Sequence, residues 1–288
     1  MTTAQLIDAA RTLLASGQPG QAAACLQAVQ RLEPGNLDAQ NLLEEHKLDG
    51  ALGHAFGLEG RIHPDDDIFR FFASHPSSTN PVRDYLADGW RTLAELRELH
   101  EKLDRKLGTT PRFLEFASGH GRFTRHLVKA LPAGSLTVSD ILPGSTEFLC
   151  QTFGIKGFPS CAQPEDLDTR GEYDTIFVLS LFSHLPDGLW QRWLARLYRA
   201  LAPGGMLIIT THGEFCVKLV GIELSPEGYH FIGSSESSLL DPSLYGNTFV
   251  SPIYVRAAID GLPEKPAQVE HVPAIFWGRQ DAWVIQRP

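Results

Sequence analysis

Cysteine is scarce in this sequence, and the little there is lies scattered. Cys25, Cys150, Cys161 and Cys216 include no Cys-x-x-Cys pair, which argues against a zinc site and fits small buried residues in a reducing cytoplasm. No run of about 18 apolar residues occurs, so nothing reads as a membrane span. The N-terminus lacks a basic start, a long apolar core and a convincing cleavage site, and so does not read as a secretory signal. The expected location is therefore cytoplasmic. Basic residues are in deficit, with 25 Lys and Arg against 34 Asp and Glu and a formal net charge of −9. A duplex binder needs a basic face to release counterions, so the balance excludes a general nucleic-acid partner. No Gly-x-Ser-x-Gly elbow is present either, which leaves a serine hydrolase without an anchor. What remains is globular composition: 288 residues, 43% hydrophobic and 20% charged, enough for one large domain or one domain with an appendage.

Residues 1–46 read as helix, turn, helix. Leu6, Ala9, Ala10 and Leu13 recur at helical spacing, Gly17 and Pro19-Gly20 break the pattern, and Ala22, Leu26 and Val29 form a second stripe that ends at Pro34-Gly35-Asn36. These positions, with Pro34, resemble one tetratricopeptide repeat, followed by the first helix of another from Leu37 to His46. Such arrays normally need about three repeats to bury a core. The hairpin is therefore expected to pack on its own domain or on a second subunit in a homodimer; the alternative is a groove that recruits a protein partner. Residues 47–107 read as a linker with short ordered pieces and then an amphipathic helix from residue 81 to 107, carrying Leu86, Trp90, Leu93, Leu96, Leu99 and Leu103. His54, His63 and the run Asp65-Asp66-Asp67 could be weighed as a metal site, but a short polar run of this kind reads as solvated loop, and no metal is expected.

From about Arg112 the pattern becomes strand, helix, strand. Apolar strand candidates are Arg112–Ala117, Ser135–Asp140, Tyr173–Leu181 and Met206–Thr211; helical stretches are Arg122–Leu131, Ser145–Phe153 and Leu189–Leu201. This alternation predicts an α/β fold with a parallel sheet covered on both faces. Val269–Trp277 and Ala282–Arg287 read as a C-terminal antiparallel hairpin. Residues 108–288 thus form the main domain, with an insertion at about 214–265.

The first strand carries an acid, Glu115, and runs into a loop with Gly119 and Gly121 ahead of a helix. Glycine lets a backbone approach a ligand closely, and the helix start offers free N–H groups. The third glycine of a dinucleotide fingerprint is missing, because position 124 is Thr. A nicotinamide cofactor would bring its diphosphate towards Glu115 and be repelled, whereas an ammonium group would be attracted. That disfavours, without excluding, a nicotinamide-dependent oxidoreductase. The second strand ends in Asp140, near the sequence distance expected of a carboxylate that grips ribose hydroxyls; an N-cap or turn role is its structural alternative.

With the fourth strand ending in Ser180-Leu-Phe-Ser-His184, and the run Leu201-Ala-Pro-Gly-Gly-Met-Leu-Ile-Ile-Thr-Thr-His212-Gly behind it, four blocks stand in the order of a known family. The chain resembles a class I S-adenosylmethionine-dependent methyltransferase, over residues 112–213 most clearly. The resemblance implies a Rossmann-like, mostly parallel seven-stranded sheet with helices on both faces, preceded by a small helical region. It also implies S-adenosylmethionine as cofactor. Glu115 would hold the methionine ammonium, Gly119 and Gly121 would give backbone room, Asp140 would take the ribose hydroxyls and Ile141 would pack on adenine. Gln163, followed by Pro164, stands where the family often has an acid for the adenine amino group, and Ser180 would line the donor side. Tyr85 would contribute to a lid. Ala117 replaces the first glycine of the family's loop, a departure expected to be tolerated on the premise that φ there is negative.

Methyl transfer needs an aligned nucleophile more than a base: alignment can contribute about 7–11 kcal/mol, a base about 10²–10⁴-fold. A hydroxyl acceptor would still benefit from one, and His184, His212 and His230 are the candidates, each with a structural role as the alternative. The Asn-Pro-Pro-Tyr-like motif of amino-group methyltransferases is absent after the fourth strand, which shifts the expected acceptor to a hydroxyl oxygen. The C-terminal part is similar to bacterial methyltransferases of surface-glycan or secondary-metabolite pathways, so the expected partner is a small-molecule or glycan acceptor. A methyltransferase or non-catalytic scaffold serving a protein client of the N-terminal helices is the alternative.

Overall fold

The computed structural model describes every residue except 56, 236 and 238, two of which fall in the expected insertion. It divides into two compact units, Met1–Trp90 and Arg91–Pro288.

In the first unit, α1 (Thr3–Ala15), α2 (Pro19–Leu32) and α3 (Leu37–Glu45) are followed by the short α4 (Leu52–Ala55), by α5 (Asp67–Ser74) and by α6 (Pro81–Lys102), which runs on into the second unit. A Thr2–Gln5 capping box starts α1, Pro19 starts α2 and the Asn36 side chain caps α3. Ala10, Ala22, Leu26 and Val29 are fully buried in one cluster, as the helical spacing of apolar residues predicts. The stretch read as linker is more ordered than its composition suggests. Buried Glu44 accepts hydrogen bonds from the Gly53 N–H at 2.7 Å and from Gln40 at 2.8 Å. The acidic run is structural: Asp66 caps α5 by accepting the Phe69 N–H at 2.9 Å, and among the described residues no group of three His, Cys, Asp or Glu could hold a metal ion.

The second unit is a sheet sandwiched by helices. In chain order come β1 (Phe113–Phe116), α7 (Thr124–Ala130), β2 (Leu136–Asp140), α8 (Ser145–Phe153), β3 (Lys156–Pro159), β4 (Tyr173–Val178), α9 (Asp187–Arg199), β5 (Leu201–Thr211), α10 (Glu214–Val220), β6 (Tyr229–Ile232), β7 (Asn247–Val250), α11 (Pro252–Asp260), β8 (Gln268–Phe276) and β9 (Gln280–Gln286). Seven strands form one sheet in the order β3-β2-β1-β4-β5-β9-β8. The first five are parallel, and β9 and β8 are antiparallel. The sheet is therefore Rossmann-like and mostly parallel, with a C-terminal antiparallel hairpin.

Alternation along each strand divides the core. Leu114, Phe116, Ile176, Val178, Leu207 and Ile209 join α9 and α11 on one face. Phe113, Phe177, Met206 and Ile208 join Leu93, Leu96 and Leu99 of α6, with Leu127 and Leu149, on the other. Period-two burial on both faces is what continuous apolar strands require. Three strands, and the helices α10 and α11 of the insertion, escaped the sequence reading. The strand β3 has an exposed, exposed, buried, exposed pattern that offers little apolar signal. The pair β6 and β7 forms a separate two-stranded antiparallel sheet inside the insertion.

Strand order reverses between β1 and β4, with β2 on one side of β1 and β5 on the far side of β4. In open α/β sheets the crevice beyond the carboxyl ends at such a reversal is where ligands bind.

Candidate functional site

The β1–α7 loop is built on residues in the left-handed region: Ala117 at φ 61°, Gly119 at 56° and Gly121 at 93°. The premise for Ala117 is thus corrected. Its φ is positive, so the methyl group sits in a conformation that costs an L-residue roughly 1–2 kcal/mol. Two backbone bonds hold it there, from the Ala117 and Ser118 N–H groups to the Ser139 carbonyl at 2.8 and 3.2 Å. Gly121 is needed twice over. Its φ favours glycine, and a Cβ there would fall 2.4 Å from Cδ2 of Leu149. A Cβ on Gly119 would meet nothing, so conformation alone explains that glycine.

Glu115 and Asp140 both stand at the carboxyl edge and are nearly buried, 3% and 6% exposed. The Asp140 carboxylate organises the loop by accepting the Gly119 N–H at 2.6 Å and the Leu142 N–H at 2.8 Å. Glu115 accepts from the Thr124 hydroxyl at 2.8 Å. Thr124, noted in the sequence only as a missing glycine, is the side-chain partner of Glu115 that pattern reading passed over. Burial pushes the Glu115 carboxyl up to about 8; the Thr124 bond opposes this, and the nearby charge of Asp140 adds to it. Ile141 follows Asp140 with 42% of its surface exposed, an apolar side chain at the rim of a polar edge.

Beyond β3, Gln163 caps a short 3₁₀ turn that starts at buried Pro164. Its side-chain oxygen accepts from Arg192 at 3.0 Å, so one of the lone pairs that could meet an amino group is already engaged. Tyr85 belongs to the N-terminal unit, where it is fully buried, donates its hydroxyl to Asp66 at 2.6 Å and packs edge-on against Phe69.

At the ends of β4 and β5 a polar network replaces the carboxylates. Ser180, at φ 65°, donates its N–H to Thr210 Oγ1 at 2.7 Å, and Thr210 Oγ1 lies 2.6 Å from Gln280 Oε1. Gln280 Nε2 lies 2.8 Å from Ser180 Oγ and 3.3 Å from His212 Nε2. His184 donates Nδ1–H to the Gly246 carbonyl at 2.5 Å and stacks on Tyr245 at 4.4 Å. The His184 and His212 rings meet edge to face, with centroids 5.9 Å apart. Burial lowers the His212 imidazole to about 4, with the charge of His184 adding and the Thr248 backbone opposing. His230 pairs across from Phe249 in the β6–β7 sheet, and the Phe249 ring stacks on His212 at 5.2 Å. Of the three histidines, two share the strand edge and the third stands one strand beyond Phe249. Gln280 and Thr210 carry no local sequence signal, because their partners lie 30 to 100 positions away.

Residues 114–207 match the family described as "Methyltransferase domain". No curated protein matches the chain. Among solved structures it is similar to magnesium protoporphyrin IX methyltransferase (ChlM) from Synechocystis PCC 6803 with bound S-adenosylhomocysteine, at 14% identity and TM-score 0.49, covering 77% of this chain and 94% of that one. It is similar to the N-methyltransferase NodS from Bradyrhizobium japonicum WM9 in complex with S-adenosylhomocysteine, at 14% identity and TM-score 0.46, covering 78% and 100%. A third is an S-adenosylmethionine-dependent methyltransferase from Clostridium acetobutylicum ATCC 824, at 10% identity and TM-score 0.48, covering 68% and 91%.

Proposed function

We propose that the chain is an S-adenosylmethionine-dependent methyltransferase that acts on the hydroxyl oxygen of a small-molecule or glycan acceptor. The matched methyltransferase domain covers the strands that carry Glu115 and Asp140. The single observation that carries the cofactor assignment is Glu115 itself, a buried carboxyl raised to about 8 with no cation among its causes. The ionised form of such a group is stabilised by a cation brought beside it, and the methionine ammonium can supply one.

The neighbouring residues fit the rest of the cofactor. Asp140 is held by two backbone N–H groups at the edge where a carboxylate would take ribose hydroxyls. Exposed Ile141 offers an apolar face for adenine. The positive φ values of Gly119 and Gly121 keep side chains away from the β1–α7 turn. When bound, S-adenosylmethionine supplies a methyl group already activated by its sulfonium. The protein's part is then orientation, worth about 7–11 kcal/mol when the attacking atom is held in line, with a base adding a smaller factor. The β4–β5 edge, with the hydroxyls of Ser180 and Thr210, the Gln280 amide and the imidazoles, is suited to hydrogen-bonding a neutral acceptor.

Titration calorimetry with S-adenosylhomocysteine tests the reading. Saturable binding to the native chain, severely weakened by Glu115→Gln, is expected. Binding of NADH with no binding of S-adenosylhomocysteine would overturn it.

A further inference from the structure

The β4–β5 edge assigns a proton position. The Ser180 N–H donates to Thr210 Oγ1 at 2.7 Å, and the hydroxyl proton of Thr210 is directed to Gln280 Oε1 at 2.6 Å. The Gln280 amide presents Oε1 to Thr210, and an amide oxygen can only accept, so the hydroxyl is the donor of this bond. Nε2 of the amide must then donate, to Ser180 Oγ at 2.8 Å and to His212 Nε2 at 3.3 Å. A ring nitrogen that receives an N–H carries its lone pair there, so the neutral ring of His212 bears its proton on Nδ1.

We propose that Gln280, from the C-terminal hairpin, is a positioning residue that holds His212 as a neutral Nδ1–H tautomer with its lone pair occupied by the amide, so that His212 is not the base. The inference rests on the methyltransferase reading for its meaning and on the hydrogen-bond chain for its geometry. Gln280 is 4% exposed, so water does not compete for its amide. The lone pair of His212 is capped by the amide, and the Thr248 backbone is a further hydrogen-bond partner of the ring. His184 has the opposite arrangement: its Nδ1–H is given to the Gly246 carbonyl, which places its lone pair at Nε2. Two imidazoles 5.9 Å apart are thereby differentiated by their supports, and the base role passes from His212 to the remaining histidines.

The test is nitrogen-15 NMR of the full chain labelled at histidine, with the His212 signals assigned by their loss in His212→Asn. The expected wild-type pattern is a protonated Nδ1 and an unprotonated Nε2 at neutral pH. In Gln280→Glu the carboxylate accepts from the ring instead, so Nε2 gains a proton and the His212 titration midpoint rises by about one to three pH units. A wild-type spectrum with the proton on Nε2, or a charged ring at neutral pH, overturns the inference even if Gln280→Glu fails to fold. S-adenosylhomocysteine titration of the same wild-type sample reads the underlying function separately. Failure to bind would overturn the methyltransferase reading while leaving the tautomer result intact.

Discussion

The two halves of the carboxyl edge solve different problems. The β1–β2 half is charged and local: Glu115 and Asp140 are bound by Thr124, Gly119 and Leu142, all within 21 positions along the chain. The β4–β5 half is neutral and non-local: Ser180, Thr210, His212 and Gln280 are joined by bonds that span up to 100 positions. One half holds a buried carboxyl that lacks a cation, and the other fixes where neutral protons sit. On the proposed function, charge serves the part of the site that would bind the cationic donor, and a polar hydrogen-bond network the part that would orient the acceptor.

Glu115→Gln breaks the comparison most sharply. Removing one partner of a buried ion pair costs about 3–5 kcal/mol, so affinity for S-adenosylhomocysteine should fall more than a hundredfold by calorimetry. The same variant tests proton linkage. A carboxyl raised to about 8 is largely protonated at neutral pH, and a bound ammonium pulls it back down. Binding should therefore release protons near pH 7, visible in buffers of different ionisation enthalpy, and the release should vanish in Glu115→Gln. Stability follows with the opposite sign. Between the ordinary value of 4.5 and about 8 the unfolded chain loses the Glu115 proton and the ligand-free folded chain keeps it, so folding weakens as pH rises through that window. Glu115→Gln should flatten this slope.

Gly121→Ala probes the loop on the charged half. The overlap with Leu149 and the left-handed φ should together cost about 2–4 kcal/mol in urea unfolding, whereas Gly119→Ala should suffer from its φ alone and lose less. Acid titration probes the neutral half. His212 is lowered to about 4, and buried His100 of α6 is likewise lowered to about 4 by burial and by the charge of Arg105. Both are neutral in the fold and take up protons when unfolded. Their contribution is present above about 6.5 and is lost as pH falls towards 4. His100→Leu should remove part of that loss, about 1–3 kcal/mol, in denaturation at pH 5 compared with pH 7. The smallest effect is Ala117→Gly, which relieves a positive φ and should raise the urea midpoint by about 0.5–1 kcal/mol equivalent.

What could be read from the sequence followed the range of the interactions. Glu115 and Asp140 were legible because each lies at the end of an apolar strand, and strand ends in a parallel sheet lie on one edge whatever else the chain does. The glycines were legible as a pair, but the sign of φ at Ala117 was not, since it depends on hydrogen bonds to Ser139 on a neighbouring strand. The acidic run Asp65-Asp66-Asp67 reads in the sequence as solvated loop; the structure instead buries Asp66 and uses it as a helix cap and as the acceptor for Tyr85. Gln280 was invisible, because an uncharged residue opening a hairpin strand has no pattern of its own.

The sequence by itself determined most of the sheet unit: apolar runs mark β1, β2, β4, β5 and the C-terminal hairpin as strands, and their alternation with helices makes the central strands parallel, whereas β3 with its mostly exposed pattern was not legible. Tertiary structure alone decided the chemistry of that edge. Burial raises Glu115 and lowers His212, and the return of β9 beside β5 brings Gln280 to the imidazole. Desolvation and hydrogen bonding depend on what surrounds a group in space, and that is set only when distant segments of the chain meet.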